Sequence, residues 1–92
     1  MPKVTVELPS MLTRLVNGRT SIVVDADSVG GALRSLVKDH PGLEVHLFDE
    51  SGGLRQHVLC FHNETNTRWL ESIEVPVAEN DTITILQAVS GG

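Results

Sequence analysis

Thr82-Ile83-Thr84-Ile85-Leu86-Gln87-Ala88-Val89 runs directly into Ser90-Gly91-Gly92, a β-patterned segment followed by two glycines. Ile83 and Ile85 share one face, and Leu86 beside Ile85 breaks the alternation, which predicts a bulge or burial on both faces. A strand this rich in apolar residues is best satisfied in the middle of a sheet, paired on both sides. Glycine lacks a Cβ, so Ser90-Gly91-Gly92 forms a slim tail that fits a narrow channel in a partner and offers a carboxylate there. The plain alternative is a frayed end.

Working outward, Val4, Val6 and Leu8 alternate with Lys3, Thr5 and Glu7, and Pro9 ends that strand by removing a donor. A link with Met11, Leu12, Leu15 and Val16 folds over a sheet end before Asn17-Gly18 turns the chain into a second strand, Arg19 to Val24. Asp27 or Ser28 caps a helix carrying Val29, Ala32, Leu33, Leu36 and Val37 on one side, stopped by Pro41-Gly42. Gly30 and Gly31 each cost such a helix about 1 kcal/mol relative to Ala, so close packing on the sheet is expected to compensate. Leu43, Val45, Leu47 and Phe48 alternate loosely before the polar loop Asp49 to Gly53. A third strand spans Gln56 to His62, a turn surrounds Asn63-Glu64-Thr65-Asn66, and a short fourth strand covers Thr67-Arg68-Trp69. Pro76 argues against a central strand just before the last one. The order β-β-α-β-β-β with one amphipathic helix predicts an α+β fold, a β-grasp with a mixed sheet packed on one main helix. Residues 1–92 form one such domain with a flexible diglycine tail.

Composition excludes several function classes. Ninety-two residues, 40% apolar and 21% charged, suit one ordinary domain, and the net charge of −5 with scattered Lys and Arg would repel a phosphate backbone. Nucleic acid and membrane partners are not expected. With Cys60 as the single cysteine, flanked by Val58, Leu59 and Phe61, no internal disulfide exists; a packed, inert thiol and a cytoplasmic location are expected. His40, His46, His57 and His62 match no zinc spacing, and the glutamates are dispersed, so neither a metal site nor a carboxylate pair for acid–base catalysis is indicated.

The order of Val4-Thr5-Val6, the helix Ser28 to Leu36 closing at His40-Pro41-Gly42, Pro76-Val77-Ala78-Glu79-Asn80-Asp81 and Ile83 to Gly92 resembles the ubiquitin-like sulfur carrier proteins. That family includes the thiamine sulfur carrier, the small subunit of molybdopterin synthase and the carriers of cysteine or secondary-metabolite biosynthesis. The Asp49 to Gly53 loop and the Arg68-Trp69-Leu70 segment make the cysteine-type carriers the nearest match. Asn63-Glu64 where the family often has Asn-Gly, and Gln87 where many members have Pro, are departures.

The resemblance implies a protein cosubstrate, not an enzyme, with no catalytic side chain and no bound cofactor. Gly92 would be the adenylated, sulfur-carrying residue, with Gly91 and Ser90 passing through the partner's channel. The implied partners are an adenylating, ubiquitin-activating-like enzyme that uses ATP and Mg²⁺, a sulfur donor or sulfurtransferase, a sulfur-accepting biosynthetic enzyme, and a hydrolase where the diglycine must first be exposed. Molybdopterin synthase, the thiamine pathway and protein modification are the alternatives. Val89 and Ala88 are either anchors at the channel mouth or core. Leu59, Phe61 and Trp69 are candidates for an apolar docking patch, while ordinary burial preference places Leu59 and Phe61 in the core.

Overall fold

The structure is a computed structural model and describes residues 1–67 and 73–87. Alternation in the first strand places Val4 and Val6 inward along β1 (Lys3–Glu7), opposite Val24 and Ile22 of the antiparallel β2 (Ser21–Asp25). The link between them is helical: α1 (Ser10–Thr13) continues as a 3₁₀ turn through Val16, burying Leu12 and Val16. Asn17 (φ 60°) and Gly18 (φ 79°) then reverse the chain, a left-handed pair of the kind Asn-Gly supplies at least cost.

Ser28 caps α2 (Val29–Asp39), its Oγ accepting the Gly31 N–H at 2.9 Å. Val29, Ala32, Leu33 and Leu36 are fully buried on one side of the helix, each of the larger ones contributing about 1.5–3 kcal/mol of transfer free energy. For Gly30 the compensation comes from a crossing segment and not from the sheet, while Gly31 closes against the Ser28 cap itself. The N–H groups of Val29 and Gly30, which a helix start leaves unpaired, donate to the carbonyls of Val75 and Ile73 at 3.0 and 2.8 Å. A Cβ at Gly30 would lie 2.5 Å from Glu74 Oε1. Glu74 in turn accepts from Arg34 at 2.7 and 3.0 Å and from Ser28 Oγ at 3.3 Å.

After Pro41 the loosely alternating segment forms no strand. A 3₁₀ turn leads into α3 (Glu44–Leu47), with Leu43 and Leu47 buried. β3 (Val58–His62) starts two residues later than expected, and β4 is Thr65–Asn66, not Thr67 onward. Thr67 leaves the ladder to bury its side chain and donate Oγ1 to the Cys60 carbonyl at 2.9 Å. Arg68, Trp69 and Leu70 lie outside the described residues.

β5 (Thr82–Gln87) runs parallel to β1 and antiparallel to β3, giving the order β2-β1-β5-β3-β4. It is central, as its composition requires. Its ladder with β3 is unbroken from His62–Ile83 to Val58–Gln87, so there is no bulge at Leu86. Ile83, Ile85, Val58, Cys60, Val4 and Val6 meet Leu33 and Leu36 of α2 in one core. A mixed five-stranded sheet grasping one main helix is the ubiquitin-like β-grasp.

Candidate functional site at the open face and the end of β5

Because Cys60 pairs with Ile85 on the core side, period-two alternation sends its neighbours to the opposite face. Leu59 sits across from Leu86, and Phe61 across from Thr84. Leu59 and Phe61 are partly exposed and Leu86 is 42% exposed. The expectation of a core role for Leu59 and Phe61 is therefore corrected: Val58 and Cys60 take those places. The run Val58-Leu59-Cys60-Phe61 is apolar on both faces, so composition alone did not distinguish inside from outside.

Leu86 joins this patch, and sequence reasoning missed it. The signal was present: strict alternation from Ile83 and Ile85 puts Leu86 outward, beside Leu59. Beyond Thr84, which pairs with Glu7 at the end of β1, residues 85–87 are laddered to β3. The patch thus stands next to the point where β5 hands over to residues 88–92. Ala88, Val89, Ser90, Gly91 and Gly92, with Trp69, lie outside the described residues.

The other end of β5 is pinned by polar contacts. Asp81 Oδ2 accepts the Ala78 N–H at 2.8 Å and lies 2.7 Å from His62 Nε2. The Ala78 amide foremost, then His62 and Asn63, hold the Asp81 carboxyl down at about 2. Asn63 (φ 54°) accepts the Thr82 N–H through Oδ1 at 2.9 Å, and its own N–H donates to the Thr82 carbonyl at 2.7 Å. The backbone of β1 closes the same end, with Thr5 N–H on Asp81 O at 3.0 Å and Asn80 N–H on Lys3 O at 2.8 Å. These bonds fix where β5 begins. His62 and Asp81 make a pair rather than an ion site: among the described residues no three His, Cys, Asp or Glu side chains gather to hold a metal.

Cys60 is 1% exposed, and burial pushes its thiol up to about 11. Such a thiol stays protonated and shielded at neutral pH. No helix among the described residues is long and apolar enough to cross a membrane.

The family model described as ThiS family matches residues 7–92. The chain belongs to the ThiS family. This is the ubiquitin-like sulfur carrier family that the order of sequence motifs resembles. The sulfur carrier protein CysO of Mycobacterium tuberculosis (strain ATCC 25618 / H37Rv) is 31% identical over 91 residues, covering 97% of this chain and 98% of that protein. The CysO chain in the crystal structure of the Amycolatopsis orientalis BexX/CysO complex superposes with a TM-score of 0.86 at 29% identity, over 97% of this chain and 99% of that one. Small archaeal modifier protein 1 of Haloferax volcanii is 34% identical over 80 residues, 84% of this chain and 87% of that protein. ThiS-family membership accounts for the β-grasp.

Proposed function

We propose that this ThiS-family protein is a sulfur carrier whose Gly92 carboxylate is adenylated and then converted to a thiocarboxylate, the sulfur passing to cysteine or a sulfur-containing secondary metabolite. The observation that carries this reading is the central strand β5, clamped at Asp81, flanked by the Leu59–Phe61–Leu86 patch and ending at Gln87, which precedes Gly91-Gly92 closely in sequence. Near-full-length similarity to CysO proteins supports it and favours the cysteine-type pathway. The α-carboxyl of a terminal glycine has an ordinary pKa of about 3.5 and is ionised at neutral pH. Its oxygen attacks the α-phosphorus of ATP on the partner, pyrophosphate leaves, and an acyl-adenylate forms. A hydrosulfide-level nucleophile then forms the C–S bond, AMP leaves, and a proton is released. Charge neutralisation at phosphorus, including Mg²⁺, belongs to the adenylating partner.

The carrier's own task is positioning. Five residues of extended chain beyond Gln87 reach up to about 17 Å, and the apolar patch gives the partner a fixed surface from which to draw that length into its nucleotide pocket. Val89 and Ala88 serve as anchors at the channel mouth, Ser90 and Gly91 as the narrow passage. A sulfur-accepting enzyme uses the same face after loading. Incubation with the adenylating enzyme, ATP and a sulfide source should add about 16 Da, O replaced by S, and deletion of Gly92 should abolish the gain. Loading that persists without Gly92 would overturn the proposal.

One second reading has an observation in its favour: the similarity to small archaeal modifier protein 1. There the same activated acyl group would be attacked by a lysine amine, leaving an isopeptide. Conjugates carrying a Gly-Gly remnant on target lysines would distinguish it.

A further inference from the structure

We propose that this chain forms a two-fold symmetric dimer by antiparallel pairing of β2 with β2 of a second copy, centred on Val23. The motivating observation is an open sheet edge whose own residues complement each other. Among the described residues β2 pairs only with β1 in the sheet order. The bonds from Ala26 N–H to Pro2 O and from Leu8 N–H to Thr20 O fix which β2 residues face β1. By alternation Thr20, Ile22, Val24 and Ala26 turn their amides toward β1, and Ser21, Val23 and Asp25 turn N–H and C=O outward. A run of unpaired donors and acceptors on an edge is a template for another strand. Val23, 60% exposed, is the large apolar side chain at the middle of that edge.

The register selects a second copy as the occupant. With Val23 opposite Val23 of the other copy, Ile22 falls opposite Val24 on the core side, both apolar and within a few per cent of full burial. On the open side Ser21 falls opposite Asp25, a hydroxyl facing a carboxylate. Two residues beyond each end of β2, exposed Arg19 comes to the same flank as exposed Asp27, whose carbonyl already accepts the Val77 N–H at 3.2 Å, so that only the two side chains meet there. Symmetry makes every pair twice, so two opposite-charge pairs bracket an apolar centre, a self-complementary pattern of the isologous kind. A register shifted by two residues would instead set Asp25 against Asp25 or Ser21 against Ser21, and would lose the Val23 contact. The patch at Leu59, Phe61 and Leu86 lies beyond β1 from this edge, so such a dimer presents two loading faces at once.

The test is sedimentation equilibrium of the full chain from about 10 μM to 1 mM, with concentration-dependent amide shifts mapped by NMR. The expected result is a monomer–dimer equilibrium with shifts concentrated at residues 19–27. Val23→Pro removes an outward N–H without touching the β1 ladder, as proline on an edge strand permits, and should leave only monomer while far-UV dichroism is unchanged. Arg19→Asp or Asp27→Arg alone should weaken dimerisation about 10-fold, the two symmetry-related pairs acting together, and the double exchange should restore it. A chain that is monomeric at 1 mM, including one whose β2 accepts only a foreign extended peptide, would overturn the proposal. So would a dimer indifferent to Val23→Pro, or a double exchange no tighter than the single variants.

Discussion

Leu86→Asp isolates the docking face from the reacting terminus. Leu86 is 42% exposed, and complete burial of a leucine side chain gives about 1.5–3 kcal/mol, so the part still available to a partner is worth about 1 kcal/mol. Burying a carboxylate there, against Leu59 and Phe61 and a partner's apolar surface, adds a desolvation cost that brings the total to about 2–4 kcal/mol. That corresponds to roughly a 30- to 1,000-fold loss in kcat/KM for the adenylating enzyme. The carrier itself loses only the half already packed on Leu59, about 1 kcal/mol, which a domain of ordinary stability tolerates. Since the Leu86 side chain makes and breaks no bond at the carboxylate that reacts, the loss should fall on KM, with kcat nearly intact. ATP–pyrophosphate exchange measured against carrier concentration reads this directly. Val45→Asp, on a 62% exposed residue of α3, is the control and should be silent. An unchanged KM for Leu86→Asp, or an equal loss for Val45→Asp, would refute the assignment of this face.

Asp81 is held at about 2 in the fold against an ordinary 3.8, so it stabilises the native state above about pH 4, and that stabilisation is lost as pH falls from 4 toward 2. Asp81→Asn should flatten the stability profile in that window by urea titration and leave the rest of the profile unchanged. Ser28→Ala removes the α2 cap at Gly31 and a donor to Glu74, and should cost about 1 kcal/mol, a fall in Tm of about 4–8 °C by calorimetry. Cys60, pushed to about 11 by burial, should resist an aromatic disulfide reagent at pH 7.5 until denaturant is added; rapid reaction of the native protein would contradict the packing described for β3.

Much of this molecule was legible as pattern. The alternation at Val4, Val6 and Leu8 and the 3.6-residue spacing from Val29 to Leu36 each match one period, and each formed the element it predicts. The Asn17-Gly18 turn was fixed by its chemistry, since that pair takes positive φ readily. What resisted reading was decided by tertiary partners. Val58 to Phe61 carries apolar residues on both faces, and only pairing of Cys60 with Ile85 shows which two are buried. Leu86 was obscured because it follows Ile85, yet the pleat carries it outward without a bulge. Gly30 of α2 advertises close approach, but its neighbour Glu74, in the segment from Ile73 to Val77, is far away in sequence. The same holds for Asp81, whose partner His62 is brought to it by the β3–β5 ladder.

The central claim is that the working group of this protein is the acyl terminus at Gly92. Tandem mass spectrometry of the C-terminal peptide, after loading with the adenylating enzyme, ATP and sulfide and capture with an alkylating reagent, tests it at the atom concerned. The expected result is a gain of about 16 Da plus one alkyl group on Gly92, with Cys60 unalkylated in the native protein. An unmodified Gly92, or sulfur located on another residue while downstream sulfur transfer proceeds, would contradict it.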